Sequence, residues 1–203
     1  MSAWGAVARQ FGRPSGPLGA LAALVMTLRP SNRLRNALTL DLLDIRPGDW
    51  VLEIGFGPGL AVAAAARLAT AGHVVGIDHS DLMVAGARRR NAREIANGRV
   101  ELILASADAL PPFPRPFDKV FAVNVYMFWK EPVAILGAVR RAMAPGGSIA
   151  LTLQPRRPGA TRSDAASAAE AMGASLQSAG FGEVRAELLE MAPVPAACAR
   201  ARS

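Results

Sequence analysis

From residue 50 onward the chain alternates between short apolar runs and longer stretches of helical character. Trp50–Ile54, His73–Ile77, Val100–Leu104, Phe117–Asn124 and Ser148–Leu153 are apolar along nearly their whole length. Between them, Leu60–Thr70, the stretch after Ser80 to about Asn97, Glu131–Met143 and Ser163–Ala179 are rich in helix-forming residues. Pro145-Gly146-Gly147 and Gly180 supply stops for the last two. Strands that are apolar throughout and separated by helices predict a parallel sheet covered on both faces. Val184–Met191 and Val194–Ala201 close the chain as two runs joined by little more than Ala192-Pro193. So short a connection cannot make a parallel crossover, so these two strands are expected to be antiparallel neighbours.

The expected fold is therefore an α/β, doubly wound, Rossmann-like sheet. It is seven-stranded and mostly parallel, with an antiparallel C-terminal strand and an N-terminal helical extension. The expected division is an extension over residues 1–45 and one ligand-binding domain over 46–203. No internal repeat is visible, and Pro111-Pro112-Phe113-Pro114 reads as a rigid connection within the domain.

Composition narrows the function without deciding it. A chain of 203 residues can bury a full core without disulfides or metal. Its one cysteine, Cys198, cannot staple the fold, and no Cys/His cluster has metal-ligand spacing, so no metal is expected. The net charge of +7 comes almost entirely from arginine, since only Lys119 and Lys130 are lysine. No basic run of five or more occurs, and none is interleaved with stacking aromatics, so no nucleic-acid partner is expected.

Residues 1–40 carry Arg9, Arg13, Arg29, Arg33 and Arg35 but no acid, and between them runs the apolar stretch 18–28. That run is too short to span a bilayer, which needs about 20 residues, and no small-residue cleavage site follows it. It reads as a helix packed on the domain, with peripheral membrane contact through residues 1–30 as the alternative. A cytoplasmic location is expected, with or without that contact. Oligomeric state has no signature here.

Chemistry enters at Gly55-Phe56-Gly57-Pro58-Gly59, directly after the first strand. Side chains are missing at alternate positions, so the backbone can turn tightly and a ligand can approach it. Pro58 suits the first turn of the helix that follows. A dinucleotide fingerprint would need glycine at position 60, where Leu60 stands, which disfavours a nicotinamide oxidoreductase. Asp78 ends the second strand, where a carboxylate can accept ribose hydroxyls; capping of the next helix is its bland alternative. Asp108, after the third strand, could accept from a purine amine or cap a short helix.

Val51–Gly59, Gly76-Ile77-Asp78, Asp108-Ala109-Leu110-Pro111 and Pro145-Gly146-Gly147 together resemble the successive signature segments of class I S-adenosylmethionine-dependent methyltransferases. Within that family they are similar to the small-molecule, ubiquinone/menaquinone-type branch. The resemblance covers roughly residues 38–203. It implies that Glu53, Gly55, Phe56, Gly57 and Gly59 wrap the amino-acid end of S-adenosyl-L-methionine. Asp78 would hold its ribose, His79 would lie against the adenine, and Ala107 and Asp108 would flank the adenine amine. Asn124 would face the methionine part and the acceptor.

The expected activity is methyl transfer to a small, hydrophobic acceptor. The greasy N-terminal segment, with Trp4 and Phe11, would cover the acceptor pocket. Asn124 and Tyr126 are the candidate catalytic residues. Tyr126, Phe128 and Trp129 could form an acceptor wall or pack as core. Arg156, Arg157 and Arg162 could steer an anionic acceptor or form a solvated loop. Asn124-Val125-Tyr126-Met127 lacks the paired prolines of base-amino methyltransferases, and Cys198 is misplaced for cytosine C5 chemistry. The alternative is a non-catalytic S-adenosylmethionine-binding protein with a regulatory or assembly role.

Overall fold

The computed structural model describes residues 29–203. The apolar run 18–28, Trp4 and Phe11 lie outside the described residues, as does most of the expected extension. Its described part is helix α1 (Pro30–Leu43), opened by proline in its first turn.

Seven strands form one sheet in the order β3-β2-β1-β4-β5-β7-β6. They are β1 (Trp50–Ile54), β2 (His73–Asp78), β3 (Val100–Leu104), β4 (Phe117–Val123), β5 (Met143–Leu153), β6 (Gly182–Leu189) and β7 (Ala196–Arg202). The helices between them are α2 (Leu60–Leu68), α3 (Asp81–Arg90), α4 (Ala92–Ala96), α5 (Pro132–Arg141) and α6 (Arg162–Ser178). β1 pairs in parallel with β2 and β4, β2 with β3, and β4 with β5. β7 runs antiparallel to both β5 and β6. The expected mixed sheet is therefore present.

Side chains alternate between two cores, as the period of two requires. Val51, Val74, Phe121 and Ala150 pack with α1, α2 and α3 on one face. Leu52, Ile54, Val75, Ile77, Ile149 and Leu151 pack with α5 and α6 on the other. α6 is fixed by a capping box between Thr161 and Asp164.

Two local expectations need correction, and the strand order adds a detail. The helix expected to run on to Asn97 breaks at Asn91, whose buried amide donates to Ala87 O and Gly59 O and so leaves the helical path. Pro145-Gly146-Gly147 stops the preceding helix but lies inside β5, where the pairing with β4 shifts register. Proline is tolerated at such a bulge, and a Cβ on Gly147 would press against carbonyl oxygens of Phe117, Asp118 and Ala144. The last two strands are antiparallel neighbours as expected, and β7 inserts between β5 and β6. Ala196–Ala199 are wholly buried, whereas β6 carries Glu183, Arg185 and Glu187 at the sheet edge.

The parallel strands bring five chain ends to one rim, with β1 and β4 flanking the point where strand order reverses. Ligands of open sheets bind at that point.

Gly76 in β2 is a sensitive point of this packing. A Cβ there would stand 2.7 Å from the Phe56 ring, 2.9 Å from Leu102 and 3.2 Å from Val62. Overpacking of this kind costs about 1–3 kcal/mol. Gly76→Ala should therefore lower the melting temperature by roughly 2–10 °C, read by circular dichroism.

Candidate cofactor site

The bend after β1 is shaped by three glycines with positive φ: Gly55 (73°), Gly57 (52°) and Gly59 (75°). A Cβ at Gly55 would lie 2.6 Å from Val125, and one at Gly59 would lie 2.7 Å from Ala87. One at Gly57 would meet nothing. The bend is thus squeezed at both ends and open at its middle.

Its amides are already committed. Gly55 N–H donates to Ile77 O at 2.8 Å and Phe56 N–H to the same oxygen at 3.4 Å. Gly57 N–H donates to Asp78 Oδ2 at 2.8 Å, and Ser80 N–H donates to Asp78 Oδ1 at 2.9 Å. The carboxylate of Asp78 therefore ties the bend to the tip of β2 instead of capping α3 from within its first turn. Two backbone bonds leave lone pairs on both of its oxygens. Burial pushes the Asp78 carboxyl up, opposed by those amides and the nearby His79.

Phe56 turns its side chain into the core beneath Gly76, so only its backbone borders the cleft. Glu53 is 3 % exposed, one of its oxygens has no partner, and Val62 N–H at the start of α2 supports the carboxyl. Burial, then the neighbouring Asp78 charge, pushes the Glu53 carboxyl well above its usual range.

His79 is exposed beside Asp78, and it also lies close enough to Asp108 to favour that carboxylate. Asp108 is exposed in the turn after β3, held below the usual carboxylate range chiefly by the Ser106 hydroxyl. Ala107 beside it is half-buried. Asp78, His79 and Asp108 are thus brought together at the ends of β2 and β3.

Asn124 follows β4 with φ 58°, and its N–H donates to Thr152 O at 2.7 Å. Its side-chain Oδ1 accepts from Gln154 N–H at 2.8 Å, bracing the β4 end to the β5 end. The hydroxyl of Tyr126 is turned to α6, 2.8 Å from Ser175 Oγ and 3.2 Å from Ala171 O. Its ring meets Trp129 edge-on at 5.7 Å, while Met127 and Phe128 are 46 % and 43 % exposed. The loop arginines divide. Arg157 pairs with Asp164 and Arg162 with Glu190, whereas Arg156 turns inward to Gln154.

The donor set suits S-adenosylmethionine. A buried acid with an orphaned oxygen faces the start of α2, a bend with glycine at alternate positions follows β1, and an acid stands at the β2 tip. Among the described residues no cluster of His, Cys, Asp or Glu could hold a metal ion. None of their helices is long and apolar enough to cross a membrane.

A methyltransferase-domain family model matches residues 51–147. The uncharacterized methyltransferase YdaC of Bacillus subtilis is 33% identical over 171 residues, 84% of this chain and 92% of that protein. The chain belongs to the class I S-adenosylmethionine-dependent methyltransferases. Its cofactor is S-adenosylmethionine. A solved S-adenosylmethionine-dependent methyltransferase from Aquifex aeolicus shares the fold at TM-score 0.69 and 21% identity, covering 86% of this chain and 93% of that one. The [4+2]-cyclase SpnF matches at TM-score 0.63 and 26% identity, covering 77% of this chain and 60% of that one. The ubiquinone/menaquinone biosynthesis C-methyltransferase UbiE of Teredinibacter turnerae is 32% identical over 63% of this chain. This methyltransferase spans only about a third to a half of the length of UbiE and the other curated relatives it matches after YdaC.

Sequence reasoning missed Arg35, Gln154 and Asn91, all buried polar residues at or beside the rim. For Arg35 the signal was the acid-free stretch through residue 40; the other two left none.

Glu53 generates a pH prediction. A carboxyl raised in the folded state keeps its proton where the unfolded chain has lost it. The stability this gives is full below pH 4.5 and is lost as pH rises through the folded value. While Glu53 titrates, wild type should lose roughly 3–5 °C of melting temperature per pH unit relative to Glu53→Gln. Melting curves of both proteins from pH 4.5 to 8 check this.

Proposed function

We propose that this methyltransferase transfers the methyl group of S-adenosylmethionine to a small acceptor with an apolar body. The observation that carries the reading is the Asp78 carboxylate, bonded to Gly57 of the bend and still able to accept ribose hydroxyls.

The sulfonium of the cofactor supplies an activated methyl, so the protein's task is placement and exclusion of water. In this reading Asp78 accepts the ribose hydroxyls, and His79 lies against the adenine. Ala107 lines the adenine's edge, and Asp108 accepts from its amine. Gly55, Gly57, Gly59 and the Phe56 backbone border the amino-acid end. The orphaned oxygen of Glu53 offers an acceptor for that end's ammonium. Asn124, whose oxygen is held by Gln154, keeps its amide N–H2 for the methionine part or the acceptor. Tyr126, its hydroxyl engaged with α6, fixes the short turn that presents Met127 and Phe128 as an apolar wall.

The exposed Met127 and Phe128, with the 32% identity to UbiE, support an apolar acceptor of the kind the ubiquinone/menaquinone branch uses. The second reading, a cofactor held without methyl transfer, draws on the likeness to a protein whose name is that of a cyclase. Release of S-adenosylhomocysteine on mixing with S-adenosylmethionine and the acceptor separates the two.

Asp108 tests the adenosyl assignment without disturbing the fold, because its carboxylate is exposed. Asp108→Ala should keep the wild-type melting temperature and weaken S-adenosylhomocysteine about tenfold in calorimetry, the worth of one hydrogen bond to a charged acceptor. An analogue of S-adenosylhomocysteine with hydrogen in place of the 6-amine should bind wild type and Asp108→Ala alike. Equal S-adenosylhomocysteine affinity in both proteins would remove Asp108 from the site.

A further inference from the structure

The rim holds a second constellation apart from the Asp78 bend. Ala150 and Thr152 of β5 and Gln154 just after it lie on the α1 side of the sheet, and Arg35 on α1 stands over Gln154. Arg35 is 3 % exposed. Its Nη1 donates to Gln154 Oε1 at 2.9 Å and its Nη2 to Asn32 Oδ1 at 2.7 Å, while its Nε has no partner. Arg156 Nη2 donates to the same Gln154 oxygen at 2.9 Å, to Ser31 Oγ at 3.0 Å and to Asn32 Oδ1 at 3.1 Å. Two guanidinium groups therefore converge on the same two neutral amide oxygens.

No carboxylate balances them. Among the described residues the ion pairs of Arg46, Arg99, Arg115, Arg157, Arg162, Arg200 and Arg202 all have acidic partners, but neither Arg35 nor Arg156 forms one. The segment before α1 cannot provide one, because residues 1–40 contain neither Asp nor Glu. Burial, then the charge of Arg156, pushes the Arg35 guanidinium down to about 9. Burial and the charge of Arg29 lower Arg156 in the same way. Like charges gathered out of water are costly unless an opposite charge joins them. Arginine pairs are also the side chains best shaped for planar carboxylate and phosphate oxygens.

We propose that Arg35 and Arg156 form an anion subsite for a carboxylate or phosphate group carried by the methyl acceptor. This rests on the methyl-transfer reading and narrows its acceptor to an amphiphile, apolar at the Met127–Phe128 end and anionic at the other. Position favours the acceptor over the cofactor as the source of the anion. The pair sits at the end of β5, two strand spacings or about 10 Å from β1 and about 14 Å from the Asp78 strand. Gln154, which both arginines share, also gives its N–H to Asn124, so the subsite is joined to the residue proposed to face the acceptor.

Inorganic phosphate is the probe. Melting curves of the full chain are recorded with millimolar phosphate against sodium chloride of equal ionic strength, with and without saturating S-adenosylhomocysteine. Phosphate should raise the wild-type melting temperature by about 3–8 °C, as expected for a ligand at ten- to a hundredfold its dissociation constant. The rise should persist with S-adenosylhomocysteine bound, vanish in Arg156→Gln and return in part in Arg156→Lys. Arg156 is the variant of choice because it is less buried than Arg35 and its removal leaves the α1 contacts of Arg35 in place. A rise no larger than chloride gives, or an equal rise in Arg156→Gln, overturns the subsite. A rise abolished by S-adenosylhomocysteine overturns the acceptor assignment and hands the pair to the cofactor's own carboxylate. Failure of S-adenosylhomocysteine itself to stabilise the chain would instead strike the methyl-transfer reading.

Discussion

The hydrogen bond from Gly57 N–H to the Asp78 carboxylate is the contact on which the rim depends. It fastens the glycine-rich bend after β1 to the acid at the tip of the adjacent strand. With Gly55 and Phe56 donating to Ile77 O, it uses up the bend's own donors. The amides hold the bend's shape, and the carboxylate keeps lone pairs to spare. A charge-assisted bond of this kind contributes about 1.5–3 kcal/mol, enough to keep three left-handed glycines in place without help from side chains.

Charge along the rim then divides by strand. Over β1 and β2, Glu53 and Asp78 are buried acids raised by desolvation, and Glu53 is raised further by Asp78. Over β5, Arg35 and Arg156 are cations lowered by desolvation and by like charge. Asn124 stands between, bonded through its oxygen to the backbone of Gln154. A sulfonium donor with a cationic ammonium fits the acidic half, and an anionic acceptor fits the basic half. In the proposed reading this division orders donor and acceptor along the rim, and placement is what this chemistry demands of a protein.

The strands were legible in the sequence because each is apolar along its length, and the bend because Gly55, Gly57 and Gly59 interrupt the first of them. Asp78 and Asp108 stood out as carboxylates that follow apolar strands, Asp78 at the end of the second and Asp108 after the third. What escaped depends on three-dimensional partners. The turn at Asn91 is made by its amide reaching back to Gly59 O, a contact with no local signature. Pro145 and Gly147 look like a stop, yet the β4–β5 bulge admits them. Phe56 lies within the bend motif, yet it fills the core because Gly76 leaves room for its ring. Arg35 sits on the buried side of α1, and its partners Gln154 and Arg156 come from the segment after β5, far along the chain.

The most direct test of the adenosyl cleft is a crystal structure of the chain with S-adenosylhomocysteine. The account predicts both ribose hydroxyls within hydrogen-bonding distance of the Asp78 carboxylate, with the Gly57 N–H bond to that carboxylate retained. A nucleoside bound elsewhere, or an Asp78 carboxylate that contacts only Gly57 and Ser80, would contradict it.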